Sequence, residues 1–285
     1  MKVIFKLGLI ILVILFLCTG CTEKCDLLQS ETLSTQAMTE TIPNTEPPVT
    51  VTEPTPPAET TTPDAPQMLN AEPGAHQKRF EIGDEYMDYY LFVPNNPIEK
   101  MPIVVFLHGS VEIGHVELLE DYGIVSEVHE IYGDEFPFLL LLPCTHKPSW
   151  TGNGVPETLV GLINEVAETY RADKTRIGIT GHSLGSVGTW KMVSLYSDYF
   201  SAAVPISCGI DELIDLERCA KVPIMAFAGT VGADEKNYNP AMHKLVDSIN
   251  NVGGDAKMCV IEGADHEAMV TAAYTKELFD WMLSQ

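Results

Sequence analysis

Residues 176–180 read as a strand that passes directly into Gly181-His182-Ser183-Leu184-Gly185, and a helix is expected to follow through Trp190, Met192 and Leu195. Few local patterns constrain a fold more. A strand that turns within one residue into a helix, with a serine at the turn, leaves that serine strained and its hydroxyl clear of the sheet. Side chains on either flank would collide there, and the two glycines remove them. The helix that starts after Ser183 directs its N-terminus at the hydroxyl, an arrangement that favours negative charge. The pattern marks Ser183 as a nucleophile and the backbone N–H of Leu184 as a donor to an oxyanion formed on acyl transfer.

The surrounding chain is consistent with such a turn. Residues 79–82 and 88–93 read as two strands joined by Gly83-Asp84-Glu85. Residues 103–107 and 136–142 are apolar without alternation, which predicts strands covered on both faces, as in a parallel sheet. Further strands are expected at 202–207, 222–227 and 256–261. Between them, Leu159, Ile163, Val166 and Tyr170 recur with helical spacing. Met242, Leu245, Val246 and Ile249 do the same before Gly253-Gly254, and Leu278, Phe279 and Met282 mark a last helix. Alternating strands and helices over this length predict an α/β sandwich with a mostly parallel sheet and helices on both faces, its ligand held at the carboxyl ends of the strands.

The elbow in this context resembles the α/β-hydrolase superfamily. Within it, residues 79–285 are similar to secreted bacterial esterases grouped with polyhydroxybutyrate depolymerases, feruloyl esterases and predicted peptidases. The likeness rests on Val105-Phe106-Leu107-His108-Gly109, on Tyr170-Arg171-Ala172-Asp173-Lys174-Thr175-Arg176-Ile177, and on Gly188-Thr189-Trp190 with Phe200-Ser201-Ala202-Ala203-Val204-Pro205-Ile206. The resemblance implies a serine hydrolase cleaving carboxylic esters through an acyl-enzyme, with no metal or organic cofactor. Its implied substrates are small-molecule or polysaccharide esters, such as acetyl or feruloyl groups on plant material. A surface peptidase and a degenerate hydrolase serving as a binding module stay open beside it.

A serine nucleophile needs a base. Of eight histidines, His76 lies at the end of a spacer, while His115, His129 and His146 fall in loops before the elbow. His243 falls inside a helix, and His182 adjoins the nucleophile with its ring expected to point away. His108 belongs to the loop after residues 103–107. His266 alone follows the last strand, matching the Ser, Asp, His chain order of the resembled fold. The second oxyanion donor is expected at Ser110, just past His108-Gly109. His108, His182 and Trp150 are candidate substrate contacts, and a core position suits Trp150 equally well. The acid departs from the family pattern. Where His-Gly-x-x-Asp is usual, this chain has Ala228 and Gly232, with Asp234 two residues further on. Asp234 is the first candidate, with Glu235 and Asp211 as alternatives.

The N-terminus reads as a leader. Lys2 and Lys6 precede an apolar run over residues 7–17, too short for the ~20 residues that span a bilayer. Leu17-Cys18-Thr19-Gly20-Cys21 resembles the lipobox of bacterial lipoproteins, which implies lipidation at Cys21 and an extracytoplasmic, membrane-anchored chain; simple secretion is the alternative. Residues 22–75 are crowded with Thr, Pro and Glu and are expected to form an extended, disordered spacer before a catalytic domain over 76–285. The net charge of −23 argues against nucleic acid and anionic lipid as partners, since both reward Lys and Arg. Of the seven cysteines, Cys144, Cys208, Cys219 and Cys259 lie in the folded region without metal-ligand spacing. Buried thiols are expected, with a Cys208–Cys219 bridge as the alternative.

Overall fold

Hydrophobic runs without alternation need cover on both faces, and the chain supplies it. The computed structural model describes residues 67–210 and 212–285; the leader, Cys21, residues 22–66 of the spacer and Asp211 lie outside the described residues. Among the described residues one sheet is built from β1 (Gly74–Ile82), β2 (Glu85–Val93), β3 (Ile103–Leu107), β4 (Leu139–Cys144), β5 (Ile177–His182), β6 (Ala202–Ile206), β7 (Ile224–Gly229) and β8 (Ala256–Ile261). Their spatial order is β1-β2-β4-β3-β5-β6-β7-β8. β1 and β2 form an antiparallel hairpin with Ile82 opposite Glu85, β2 runs antiparallel to β4, and every later pairing is parallel.

Period-two geometry divides each strand between two cores. Ile103, Val105 and Leu107 face one side with Leu91, Leu141 and Ile179. There α2 (Val155–Thr169) contributes Leu159, Ile163 and Val166, α3 (Leu184–Tyr196) contributes Trp190, and a helix over Asn239–Asn251 contributes Met242 and Ile249. Val104 and Phe106 face the other side with Leu140, Leu142, Val204 and Ile206, beneath α1 (Gly123–Tyr132) and the C-terminal helix Lys276–Ser284. Among the described residues five short helical turns complete the layers: Val116–Leu119, Ser197–Tyr199, Leu216–Cys219, Asp234–Tyr238 and Met269–Ala272.

Three features differ from the sequence expectation. β4 starts at Leu139 rather than at residue 136, because Pro137 has no N–H for a ladder. Its neighbours Phe136 and Phe138 are buried all the same. α1 occupies a stretch for which no helix is expected, so His129 is helical rather than in a loop. Ile124, Val125 and Val128 carry the apolar stripe. The fold also takes in residues before position 76: Met68 bridges Ile98, and the Leu69 N–H donates to Pro97 O at 2.8 Å.

Phe138 is fully buried, stacked on Phe279 at 5.4 Å and 5.6 Å from Phe136. Phe138→Ala should cost about 3–5 kcal/mol and lower the urea midpoint accordingly. A loss below about 1 kcal/mol would contradict the packing described.

Candidate active site

β5 ends at His182, Ser183 takes φ +56° and ψ −117°, and α3 starts at Leu184. A positive φ is costly for serine and holds only where the surroundings enforce it. The enforcement is steric. A Cβ on Gly185 would strike the Leu107 carbonyl at the end of β3, and one on Gly181 would strike the Gly185 backbone. Leu184 is the first residue of α3, so its N–H has no partner within the helix. Gly109, on the loop after β3, lies against Ser183: the position a Cβ would take there is 3.8 Å from Ser183 Cβ. Ser110 follows it and is exposed.

Ser183 Oγ lies 2.9 Å from His266 Nε2, and His266 Nδ1 lies 3.0 Å from Asp234 Oδ1. Since the carboxylate accepts, Nδ1 carries the proton, and Nε2 is left to accept from the Ser183 hydroxyl. Asp234 is fully buried. Its other oxygen accepts from the Ser207 hydroxyl at 2.6 Å and from the Gly229 N–H at 2.7 Å. Burial alone would push its pKa up. The bonds from His266, Gly229 and Ser207 outweigh that and hold it below the usual carboxylate range.

The displaced position of the acid has a backbone explanation. Gly232 takes φ +68°, and the next residues form a π-helical turn over Asp234–Tyr238. That turn returns Asp234 to Gly229 and lays the Tyr238 ring 5.0 Å from His266. The acid and base loops are tied together, with Thr230 N–H and Val231 N–H donating to Ala264 O at 3.0 and 3.1 Å. Glu235 is exposed beside Asp234, and Asp211 lies outside the described residues.

The three candidate substrate contacts are all buried. His182 Nε2 is 2.8 Å from the carbonyl of His266 and must donate to it; the two rings lie 4.6 Å apart. His108 Nδ1 donates to Gly109 O at 2.6 Å while Nε2 accepts the Thr145 N–H at 3.1 Å. Trp150 Nε1 donates to His108 O at 3.0 Å, so its core reading holds and no face is left for a sugar. These side chains brace the site from below. Burial pushes both histidines down to about 4, so both are neutral at pH 7. Among the described residues no disulfide forms, the Cys208–Cys219 pair included. No helix among them is long and apolar enough to cross a membrane.

No protein-family model matches the chain. It is 27% identical over 160 residues to feruloyl esterase B of Talaromyces funiculosus, covering 47% of this chain and 43% of that protein. It is 25% identical over 146 residues to acetylxylan esterase A of Aspergillus awamori, covering 47% of each. The matched region thus spans about half the length of these relatives. A solved thermostable esterase superposes with a TM-score of 0.60 at 25% identity, over 74% of this chain and 63% of that one. The fold is that of an α/β-hydrolase. Its relatives in sequence are feruloyl and acetylxylan esterases.

In this α/β-hydrolase the sequence reading missed Ser207, Tyr238 and the supporting role of His182. Ser207 takes φ +55° at the end of β6, a second strained serine with no motif to announce it. Only three-dimensional proximity to Asp234 identifies it.

The two buried neutral histidines make a pH prediction. In an unfolded chain they titrate near 6.5. Between that value and about 4 the unfolded state binds more protons, so stability falls as pH drops through this window. The loss is on the order of 3 kcal/mol for each. Urea midpoints at pH 7 and pH 4.5 should differ clearly, and His182→Asn should flatten the difference. Equal midpoints would contradict neutral burial.

Proposed function

We propose that this chain is a serine hydrolase of carboxylic esters, with Ser183 as nucleophile, His266 as general base and Asp234 as the orienting acid. The observation that carries the reading is the unbroken hydrogen-bond chain from the elbow hydroxyl through the imidazole to a buried carboxylate. His266 Nε2 takes the proton as Ser183 Oγ attacks the ester carbonyl, and Asp234 stabilises the imidazolium that forms. The N–H groups of Leu184 and Ser110 hold the oxyanion. Collapse expels the alcohol, which takes the proton from His266. Water, deprotonated by the same nitrogen, then releases the acid and regenerates Ser183.

The names of the relatives support short acyl or hydroxycinnamoyl esters of polysaccharide as substrates. The leader and Gly20-Cys21 support an extracytoplasmic enzyme tethered through lipid on Cys21. Mass spectrometry of the mature N-terminus tests the tether: a diacylglycerol-modified Cys21 is expected, and an unmodified chain starting beyond it would refute the anchor.

A fluorophosphonate should label wild-type protein at Ser183, and Ser183→Ala should abolish both labelling and turnover of 4-nitrophenyl acetate. Labelling that survives the substitution would assign the nucleophile elsewhere. Asp234→Asn should cut turnover by up to about 10⁴-fold, the scale of the same change in serine proteases. Because Asp234 is buried and accepts two further donors, the amide should also lower stability by about 1–3 kcal/mol. Glu235→Gln, on an exposed side chain, should leave both nearly unchanged.

A further inference from the structure

One carboxylate beside the nucleophile has no part in the mechanism above. Glu112 lies on the loop after β3, and its Oε2 is 3.2 Å from the position a Cβ on Gly109 would take. That same point is 3.8 Å from Ser183 Cβ. Carboxylate and nucleophile therefore flank one glycine on one side, which a side chain at 109 would fill. The Glu112 side chain keeps only 12% of its exposure. Burial raises its pKa above the usual carboxylate value, and hydrogen bonds from the backbone N–H groups of Glu112 and Gly109 offset only part of that rise.

No cation answers this charge. Among the described residues the one basic side chain within ion-pair distance is His108, at 3.9 Å. His108 already spends its Nδ1 proton on Gly109 O and is neutral at pH 7. A fixed, partly desolvated charge beside a reacting centre is weakly screened, so it acts on whatever carries charge there.

We propose that Glu112 sets the charge specificity of the site: it admits neutral acyl groups, selects against esters bearing negative charge near the scissile carbonyl, and speeds departure of the carboxylate product. The proposal rests on the ester-hydrolase reading. Ester hydrolysis turns a neutral substrate into an anion at a place lined with oxyanion donors, which favour retaining it. A like charge across Gly109 opposes that retention. Its repulsion of the transition-state oxyanion is common to every ester and cancels when two substrates are compared.

The test uses the 4-nitrophenyl esters of 3-sulfopropanoic acid and 3-(methylsulfonyl)propanoic acid, close in shape and differing by one permanent charge. The ratio of kcat/KM for the anionic ester over the neutral one should rise by roughly tenfold in Glu112→Gln. Glu112→Asp should keep the wild-type ratio, and inhibition by acetate should tighten in the Gln variant alone. Glu112→Ala reads the same ratio should the Gln variant fail to fold. Neutral-ester turnover with an unchanged ratio in a folded neutral variant would overturn this inference and leave the esterase reading standing. No turnover of either ester by the wild-type protein would bring down both.

Discussion

Where β5 becomes α3, the backbone comes so near the end of β3 that any side chain at 185 would occupy the Leu107 carbonyl. This contact fixes the position of the helix, and through it the strained backbone of Ser183. It also fixes the loop after β3, because Gly109 rests against Ser183 on the far side of the same approach. The Leu184 N–H, the loop that carries Ser110 and the Ser183 hydroxyl are therefore set by a single close packing of backbone on backbone. Side chains then reinforce it. His108 is bonded at both ring nitrogens, to Gly109 and to Thr145, and Trp150 closes over it.

His266 and Asp234 are held by a second set of constraints. His266 stands on the loop after β8, two strands beyond β6, yet its carbonyl is held by His182, the residue before the nucleophile. Asp234 is gripped from β6 by Ser207 and from β7 by the Gly229 N–H. His266 and Asp234 are thus each fastened by residues at the ends of other strands. A carboxylate that is fully buried and bonded on both oxygens cannot swing, which keeps the imidazole in one tautomer.

How much of this was legible depended on whether the physics was local. The elbow was, because steric exclusion dictates glycine at 181 and 185 within five residues. His266 was legible from chain order. Asp234 was named despite its shift, although sequence left it beside Glu235 and Asp211; the π-helical turn that buries it depends on contacts with Gly229 and Ser207. His108, His182 and Trp150 lie at or after strand ends, where a ligand is expected, and burial assigns them to support instead, the core reading of Trp150 included. α1 was missed because charged residues interrupt a stripe that Ile124, Val125 and Val128 still carry. Ser207 and Glu112 left no local signature, since each matters only through a residue distant in sequence.

The proposed triad requires that Ser183 carry a covalent acyl intermediate during turnover. Its most direct test is to quench wild-type protein with acid during turnover of 4-nitrophenyl acetate and map the modified peptide by mass spectrometry. One acetyl group on Ser183, in the peptide that spans the elbow, is the predicted result. Turnover with the acetyl group on another residue, or with none on the protein, would contradict it.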